Sequence, residues 1–352
     1  MLSNVVEKMD VKKVSIIIPS YLNGGSENFG INISNYYSKY FKVILLSLKN
    51  IGVLKNKIII NENFTSIDFG TSRNRYKIFK LFKFLKSQQT VFSVMRDTNI
   101  LCLICSLFLP KLNVIIREGN RLNNMNIIYL FFLKLLYLRA NKIIVNSRDI
   151  KQDIIKKFFF LERKLVILHN PIFSFKKKIT KNTNKNKIIL NISRMHKQKN
   201  HMLLLNSFSE CLKKNKDLTL ILIGEGPEED NIRKKIHNLK IKNNVKIFKP
   251  LSNLDKFYAS VDLYVHTSKY EGFPNVLAEA ISNGVYCVST PSSSSVYDII
   301  FDNQYGFITK SFCHKELSQI ILNSLDRNGF DNSKFINKFY IDSCGTKFLD
   351  LI

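Results

Sequence analysis

Two glutamates, Glu271 and Glu279, stand eight positions apart around a Gly272-Phe273-Pro274 turn and the apolar run that follows it. Carboxylates accept hydroxyls, so such a pair can hold polyols such as ribose or hexose. Pro274 suits the first turn of a helix, and Val276, Leu277, Ala280 and Ile281 recur on one helical face. Gly284 then fits as the C′ residue closing that helix. The predicted helix start therefore lies between the glutamates. Its first-turn N–H groups lack helical partners and carry partial positive charge, which favours a phosphate. Read alone, the pair also fits a loop residue and an exposed helix residue. Arg194 and Lys199, five apart, follow another predicted strand. Arg forks onto phosphate oxygens and Lys supplies a mobile charge, although two cations in so basic a chain also fit a solvated surface. Gly24-Gly25-Ser26-Glu27 follows the first strand, where glycines admit a ligand to the backbone; a plain turn capped by Ser26 reads equally well. Glu118, after a later strand, faces a cleft or pairs with Arg117 or Arg121.

The elements that must position these residues alternate. Short apolar strands are expected at residues 14–18, 42–48, 89–94, 113–117, 142–146 and 165–168, with helices between them. The rhythm breaks at 171–187, where KKKITKNTNKNK offers little to bury. It restarts with strands at 187–191, 218–223, 245–248 and 263–266. The fold class is α/β, with two Rossmann-like doubly wound domains facing a central cleft. The expected division is residues 1–170, a linker 171–186, residues 187–332, and a C-terminal helix 333–352 packing back toward the first domain. Ligands of such folds bind beyond the carboxyl ends of the strands, and all four clusters lie there.

The chain has 352 residues, enough for two cores. Lys and Arg number 54 against 27 Asp and Glu, a net charge of +27. That charge fits a lysine-rich surface, an anionic membrane or a phosphorylated substrate; no interleaved aromatic and basic motif points to nucleic acid. Six cysteines are scattered, and the one C-x-x-C (Cys102, Cys105) lies in an apolar run, so buried core thiols in a reducing compartment are expected. No metal-ligand spacing is visible. Residues 1–13 do not read as a signal peptide, and no apolar run reaches the length of a membrane span. Residues 101–109 and 127–138 read as core helices. Residues 73–86, from Arg73 to Lys86, interleave cations with apolar side chains and read as a core helix or as a surface for an anionic membrane.

The ordered set Gly24-Gly25-x-Glu27, Arg194-x4-Lys199, Gly224-x-Gly226-Pro227 and Glu271-x7-Glu279 resembles the retaining glycosyltransferase family 4, the group 1 transferases of GT-B fold, over almost the whole chain. The resemblance implies a hexose or N-acetylhexosamine passed from a nucleoside-diphosphate sugar, expected to be a UDP-sugar, to a saccharide or lipid-linked acceptor in surface polysaccharide synthesis. It implies that Arg194 and Lys199 neutralise the diphosphate, that Glu279 holds the ribose, and that Glu271 contacts the hexose near the reacting carbon. Backbone groups of Phe273, Asn275, Val276 and Leu277 would face sugar and phosphate, Gly24 and Gly25 would let the first domain close on the donor, and Glu118 would lie near the anomeric centre. No cofactor or metal is expected, no nucleic acid partner, and a cytoplasmic place, peripheral on the inner leaflet. Pro274 stands where many members have glycine, and Ser292 to Asp298 replaces a Gly-rich turn. A nucleotide-sugar 2-epimerase of the same fold and a basic nucleic-acid-binding protein are the alternatives.

Overall fold

The computed structural model describes residues 12–70, 74–122, 125–173, 186–251, 254–327 and 329–352. The chain divides into two compact units. Unit 1 takes Met1–Asn170 together with Gly345–Ile352, and unit 2 takes Pro171–Cys344. Most of the expected linker, 174–185, lies outside the described residues, as does Arg73.

Unit 1 runs β1 (Lys13–Ile18), α1 (Gly25–Tyr37), β2 (Lys42–Ser47), β3 (Phe64–Asp68), α2 (Asn74–Leu85), β4 (Thr90–Ser93), α3 (Arg96–Ser106), β5 (Asn113–Glu118), α4 (Ile127–Leu138), β6 (Lys142–Val145), α5 (Arg148–Lys157) and β7 (Leu165–Ile167). Unit 2 runs β8 (Lys187–Ile192), α6 (His201–Lys214), β9 (Leu218–Ile223), α7 (Glu229–Asn238), β10 (Val245–Phe248), α8 (Asp255–Ser260), β11 (Leu263–His266), α9 (Asn275–Ser282), β12 (Tyr286–Ser289), α10 (Ser294–Ile299), β13 (Gly306–Ile308), α11 (His314–Ser324), α12 (Ser333–Phe339) and α13 (Ile341–Cys344); α14 (Thr346–Leu349) follows in unit 1.

Both sheets are parallel, in the orders β3-β2-β1-β4-β5-β6-β7 and β10-β9-β8-β11-β12-β13. Their central strands are runs of Val, Ile and Leu buried on both faces, as helix-covered parallel strands require. Each order reverses direction once, between β1 and β4 and between β8 and β11. At such a reversal the flanking loops turn apart and leave a crevice at the strands' carboxyl ends.

Two expectations need correcting, for residues 333–352 and 127–138. Residues 333–352 are not one helix: α12 and α13 stay with unit 2, where the backbone of Ile172 bonds Phe339 and Ile341, and only the last eight residues join unit 1. There Tyr37 Oη donates to the Phe348 carbonyl at 2.6 Å and Phe348 packs on Phe29. The core-helix reading of residues 73–86 holds for α2 (Asn74–Leu85), whose Leu81 and Leu85 are buried and whose Ile78, Phe82 and Phe84 pack on the same core, while Tyr76 and Phe79 stay exposed. By contrast α4 covers the core with Leu133, Leu136 and Tyr137, helped by the partly buried Tyr129 and Leu130, and its other side is exposed.

Candidate functional site

In unit 2, β8 and β11 pair at only two positions, Ile189 with Leu263 and Leu190 with Tyr264. Beyond these the strands part, and Asn191 spans the gap by donating to the Val265 carbonyl at 2.7 Å. Ser193 Oγ donates to Asn191 Oδ1 at 3.0 Å and meets His201 Nε2 at 3.1 Å. This line of side chains fixes the loop after β8, which carries Arg194 at the surface and Lys199 half-buried.

The loop after β11 is stitched to it. Thr267 Oγ1 donates to the Lys199 carbonyl (2.9 Å), Lys269 N–H to the Gln198 carbonyl (2.8 Å), and Gln198 Nε2 to the Tyr270 carbonyl (2.8 Å). The result is an ion pair and hydrogen bond between Lys199 Nζ and Glu271 Oε1. Burial pushes the Glu271 pKa up, but the charge and hydrogen bond of Lys199, with help from His266 and Ser268, outweigh it and hold the carboxyl below its ordinary value. His266 Nε2 lies 3.7 Å from the same Glu271 oxygen, buried and without a hydrogen-bond partner. Burial is the main cause that lowers the His266 pKa to about 4, so the imidazole is neutral near pH 7.

The Arg194 loop is seated by the Gly224-Glu225-Gly226 turn after β9. Ser193 N–H donates to Ile223, Met195 N–H to Glu225, and Glu228 N–H to Met195. A Cβ at Gly224 would lie 1.9 Å from the Ser193 carbonyl oxygen, and one at Gly226 would lie 2.5 Å from that of Met195. Glycine is demanded here by close approach of two backbones.

Helix α9 starts one residue later than the sequence suggests: Pro274 is its N-cap, with ψ near 86°, and Asn275 its first residue. The Leu277 N–H bonds the Pro274 carbonyl at 3.1 Å, and the Leu277 side chain is buried in the core. Phe273 likewise turns its ring inward, 6.1 Å from Phe339. Val276 is half-buried. Gly284, at φ +73°, closes the helix through bonds from Gly284 to Ile281 and from Val285 to Ala280, a Schellman motif. Glu279, in mid-helix, is half-buried and accepts from Tyr258 Oη at 3.4 Å. The serine loop is ordered against the site: Glu271 N–H bonds the Ser292 carbonyl, and Ser295 Oγ donates to the Gly272 carbonyl at 2.7 Å.

In unit 1, Gly24 caps α1 and Gly25 opens it, at the reversal between β1 and β4. The Glu27 carboxylate folds back on this turn; a Cβ on Gly24 would fall 2.2 Å from its Oε2. Glu118 is different. It is fully buried, and Arg96 grips it with two 2.8 Å hydrogen bonds while Tyr137 Oη adds a third at 2.7 Å. Its partner is thus Arg96, on the following side of β4, rather than Arg117 or Arg121, and its oxygens are engaged in holding β5 to α3 and α4. Arg117 instead bonds Asn170 Oδ1 at 2.7 Å and stacks on Phe29.

Sequence reasoning gave no role to His266 or His201. Both are buried. The available signal was their place, one at the end of an apolar strand and one opening an apolar helix.

Residues 173–338 match the family model of the glycosyl transferases group 1. The group 1 match covers unit 2 almost completely and contains every residue of the Arg194, Lys199, Glu271 and Glu279 cluster. Among curated proteins, the N-acetylgalactosamine-N,N'-diacetylbacillosaminyl-diphospho-undecaprenol 4-alpha-N-acetylgalactosaminyltransferase of Campylobacter jejuni is 28% identical over 231 residues, which are 63% of this chain and 62% of that one. The amylovoran biosynthesis glycosyltransferase AmsD of Erwinia amylovora is 22% identical over 92% of this chain and 94% of its own. The chain thus spans less than two thirds of the first of these relatives. The crystal structure of Anabaena HepE in complex with UDP and glucose superposes with a TM-score of 0.81 at 16% identity, over 96% of this chain and 98% of that one. The fold is GT-B, two Rossmann-like domains.

Proposed function

We propose that this protein is a retaining glycosyltransferase. It moves a hexose or N-acetylhexosamine from a UDP-sugar to a saccharide or lipid-linked saccharide, in the assembly of a surface polysaccharide at the inner face of the cytoplasmic membrane. The observation that carries this reading is the meeting of Lys199 and Glu271 at the reversal of the second sheet, beside the start of α9. The group 1 match over the same residues supports it, as do neighbours solved with UDP and relatives named for transfer to undecaprenol-diphosphate saccharides.

In this reading the donor diphosphate lies between the Arg194 loop and the first turn of α9. Arg194 and Lys199 supply the positive charge, so the phosphate is met by side chains where other transferases use a divalent cation. When the bond from the anomeric carbon to the phosphate oxygen breaks, its electrons stay on that oxygen, and the two cations with the helix N-terminus stabilise them. Glu271 accepts hexose hydroxyls and orients the sugar, while Glu279, set by Tyr258, accepts ribose hydroxyls. The acceptor hydroxyl attacks the same face and passes its proton to the departing phosphate, so no protein carboxylate acts as nucleophile. Glu118, gripped by Arg96, has no part in these steps. Lys199 is held by Glu271 before the donor arrives and is shared with phosphate afterwards.

Calorimetry with UDP and a panel of UDP-, GDP- and ADP-sugars tests the site. Arg194→Ala and Lys199→Ala should weaken UDP binding at least about tenfold each, the worth of one charge-assisted contact. Glu271→Ala should leave UDP affinity near wild type and lower turnover by about a hundredfold or more. Wild-type UDP affinity in both cation variants would reject the placement of the diphosphate.

A further inference from the structure

Helix α4 has the sequence IIYLFFLKLLYL, apolar around its whole circumference with Lys134 as its one charge. A helix of that kind is ordinarily enclosed. Here Leu133, Leu136 and Tyr137 face the core, while Ile127, Ile128, Phe131, Phe132, Leu135 and Leu138 form the opposite face, with Ile127 and Ile128 each 78% exposed and Phe131 61%. The patch continues onto neighbours: α3 packs against both α4 and α2, and the turn after it exposes Phe108, which meets Phe82 of α2 edge-on with ring centroids 6.4 Å apart. Cations border it. Lys134 lies over the Phe160 ring at 5.3 Å, Lys164 bonds the Ala140 carbonyl at the foot of α4, and Lys80, Lys83 and Lys111 are exposed on the α2 and α3 side.

We propose that this α4 face docks the protein on the surface of an anionic phospholipid bilayer. Twelve residues of helix span about 18 Å, short of the roughly 30 Å of a hydrocarbon core, so α4 lies in the plane of the interface with its exposed face among the acyl chains. No helix among the described residues is long and apolar enough to cross a membrane. The lysine border selects the occupant. Against anionic headgroups it adds attraction, whereas a second copy of this chain, carrying the same border and a net charge of +27, would set like charges face to face. The proposal deepens the membrane placement of the proposed function by naming the surface that makes the contact, and it does not depend on the transfer chemistry. It also moves the expected membrane contact from α2 to α4.

Flotation of the full chain with vesicles of phosphatidylglycerol and phosphatidylcholine in equal parts tests it, with phosphatidylcholine vesicles as the comparison. The wild-type protein should float with the anionic vesicles at low salt and less so at high salt. Ile128→Gln/Phe131→Gln/Leu135→Gln, at exposed positions where glutamine keeps the helix, should bind at least about tenfold more weakly with an unchanged thermal midpoint. Lys80→Gln/Lys83→Gln/Lys134→Gln, which leaves the apolar face intact, should bind more weakly and lose most of the salt dependence. Wild-type protein that stays unbound at low salt, or a glutamine triple variant that floats like wild type, overturns the proposal. So does a wild-type dimer in sedimentation that the glutamine triple variant splits while vesicle binding is unaffected.

Discussion

Replacing Lys199 with methionine keeps most of the side chain's length and removes its charge. The Glu271 carboxylate is then left in a buried place with neutral His266 as its nearest titratable neighbour, at 3.7 Å. In the intact protein burial raises the Glu271 pKa, and Lys199 together with His266 and Ser268 more than cancels it. Without Lys199 that balance reverses, and the carboxyl titrates above its ordinary value. Removing one partner of a buried ion pair costs about 3–5 kcal/mol. The two side chains retain 16% and 10% exposure, so the lower end, about 3 kcal/mol, is expected. The sign follows from linkage. In the wild type the folded pKa lies below the unfolded one, so the pair stabilises at pH values above the unfolded pKa and this is lost as pH falls through the folded one. In the variant the folded pKa lies above the unfolded one, so the penalty is full at neutral pH and fades as acid protonates Glu271. The difference between the two proteins should be widest near neutrality and narrow toward the ordinary carboxylate range. Urea titration with hydrogen exchange read on β11 and α9 peptides follows the unit that holds the pair. Lys199→Met/Glu271→Gln should recover about half of the loss or more, because the buried charge has gone. A difference below about 1 kcal/mol near pH 7.5, the same difference near pH 5, or strict additivity in the double variant would refute the reasoning.

Three further outcomes are expected. Burial is the leading cause holding His201 and His266 near 4, against 6.5 when unfolded. The folded state therefore binds fewer protons between those values, and stability falls on acidification from about pH 6.5 to 4, by about 3 kcal/mol for each histidine; His201→Gln should flatten that slope in a urea series. Gly224→Ala should destabilise unit 2 by about 2 kcal/mol or more and weaken UDP binding, since its Cβ displaces the Ser193 carbonyl and with it the Arg194 loop; calorimetry reads both. Arg96→Met should cost unit 1 about 3–5 kcal/mol by stranding Glu118, and Arg96→Met/Glu118→Met should restore much of it, as hydrogen exchange on β5 peptides would report.

The alternation of strand and helix was legible because each parallel strand is a short run of Val, Ile and Leu bounded by polar turns, and periodicity reports that directly. The glycine-rich turns and the Glu271 to Glu279 stretch were legible for a similar reason: backbone approach and helix entry restrict residue types at fixed offsets. Partner choice was not. Glu118 takes Arg96, 22 positions away, over its neighbour Arg117, because β4 and β5 are adjacent in the sheet while Arg117 points to the other face. The burial of His201 and His266 was hidden because an imidazole is compatible with either side of a boundary. The α4 sequence shows an apolar stripe on every side, but not that only one side meets the core. The α2 sequence misleads in the opposite way, since its interleaved Lys80 and Lys83 sit on the outer face of a core helix, while Lys77 is buried.

The short stretch from Gly345 to Ile352 has a consequence for how the chain is made. Unit 1 is interrupted by unit 2 and completed afterwards: Phe348 closes the pocket beside Phe29 and Tyr37, Lys142 reaches the Asp350 carbonyl, and Lys12 that of Ile352. A ribosome emits the first 170 residues long before those that cap them. Unit 2, contiguous in sequence, can finish folding while unit 1 still waits with an open flank of aromatic surface. A premature stop at codon 345 would therefore spare the sheet that carries Arg194 and Glu271 and damage the other one, and the two halves of the molecule would fail at different moments of synthesis.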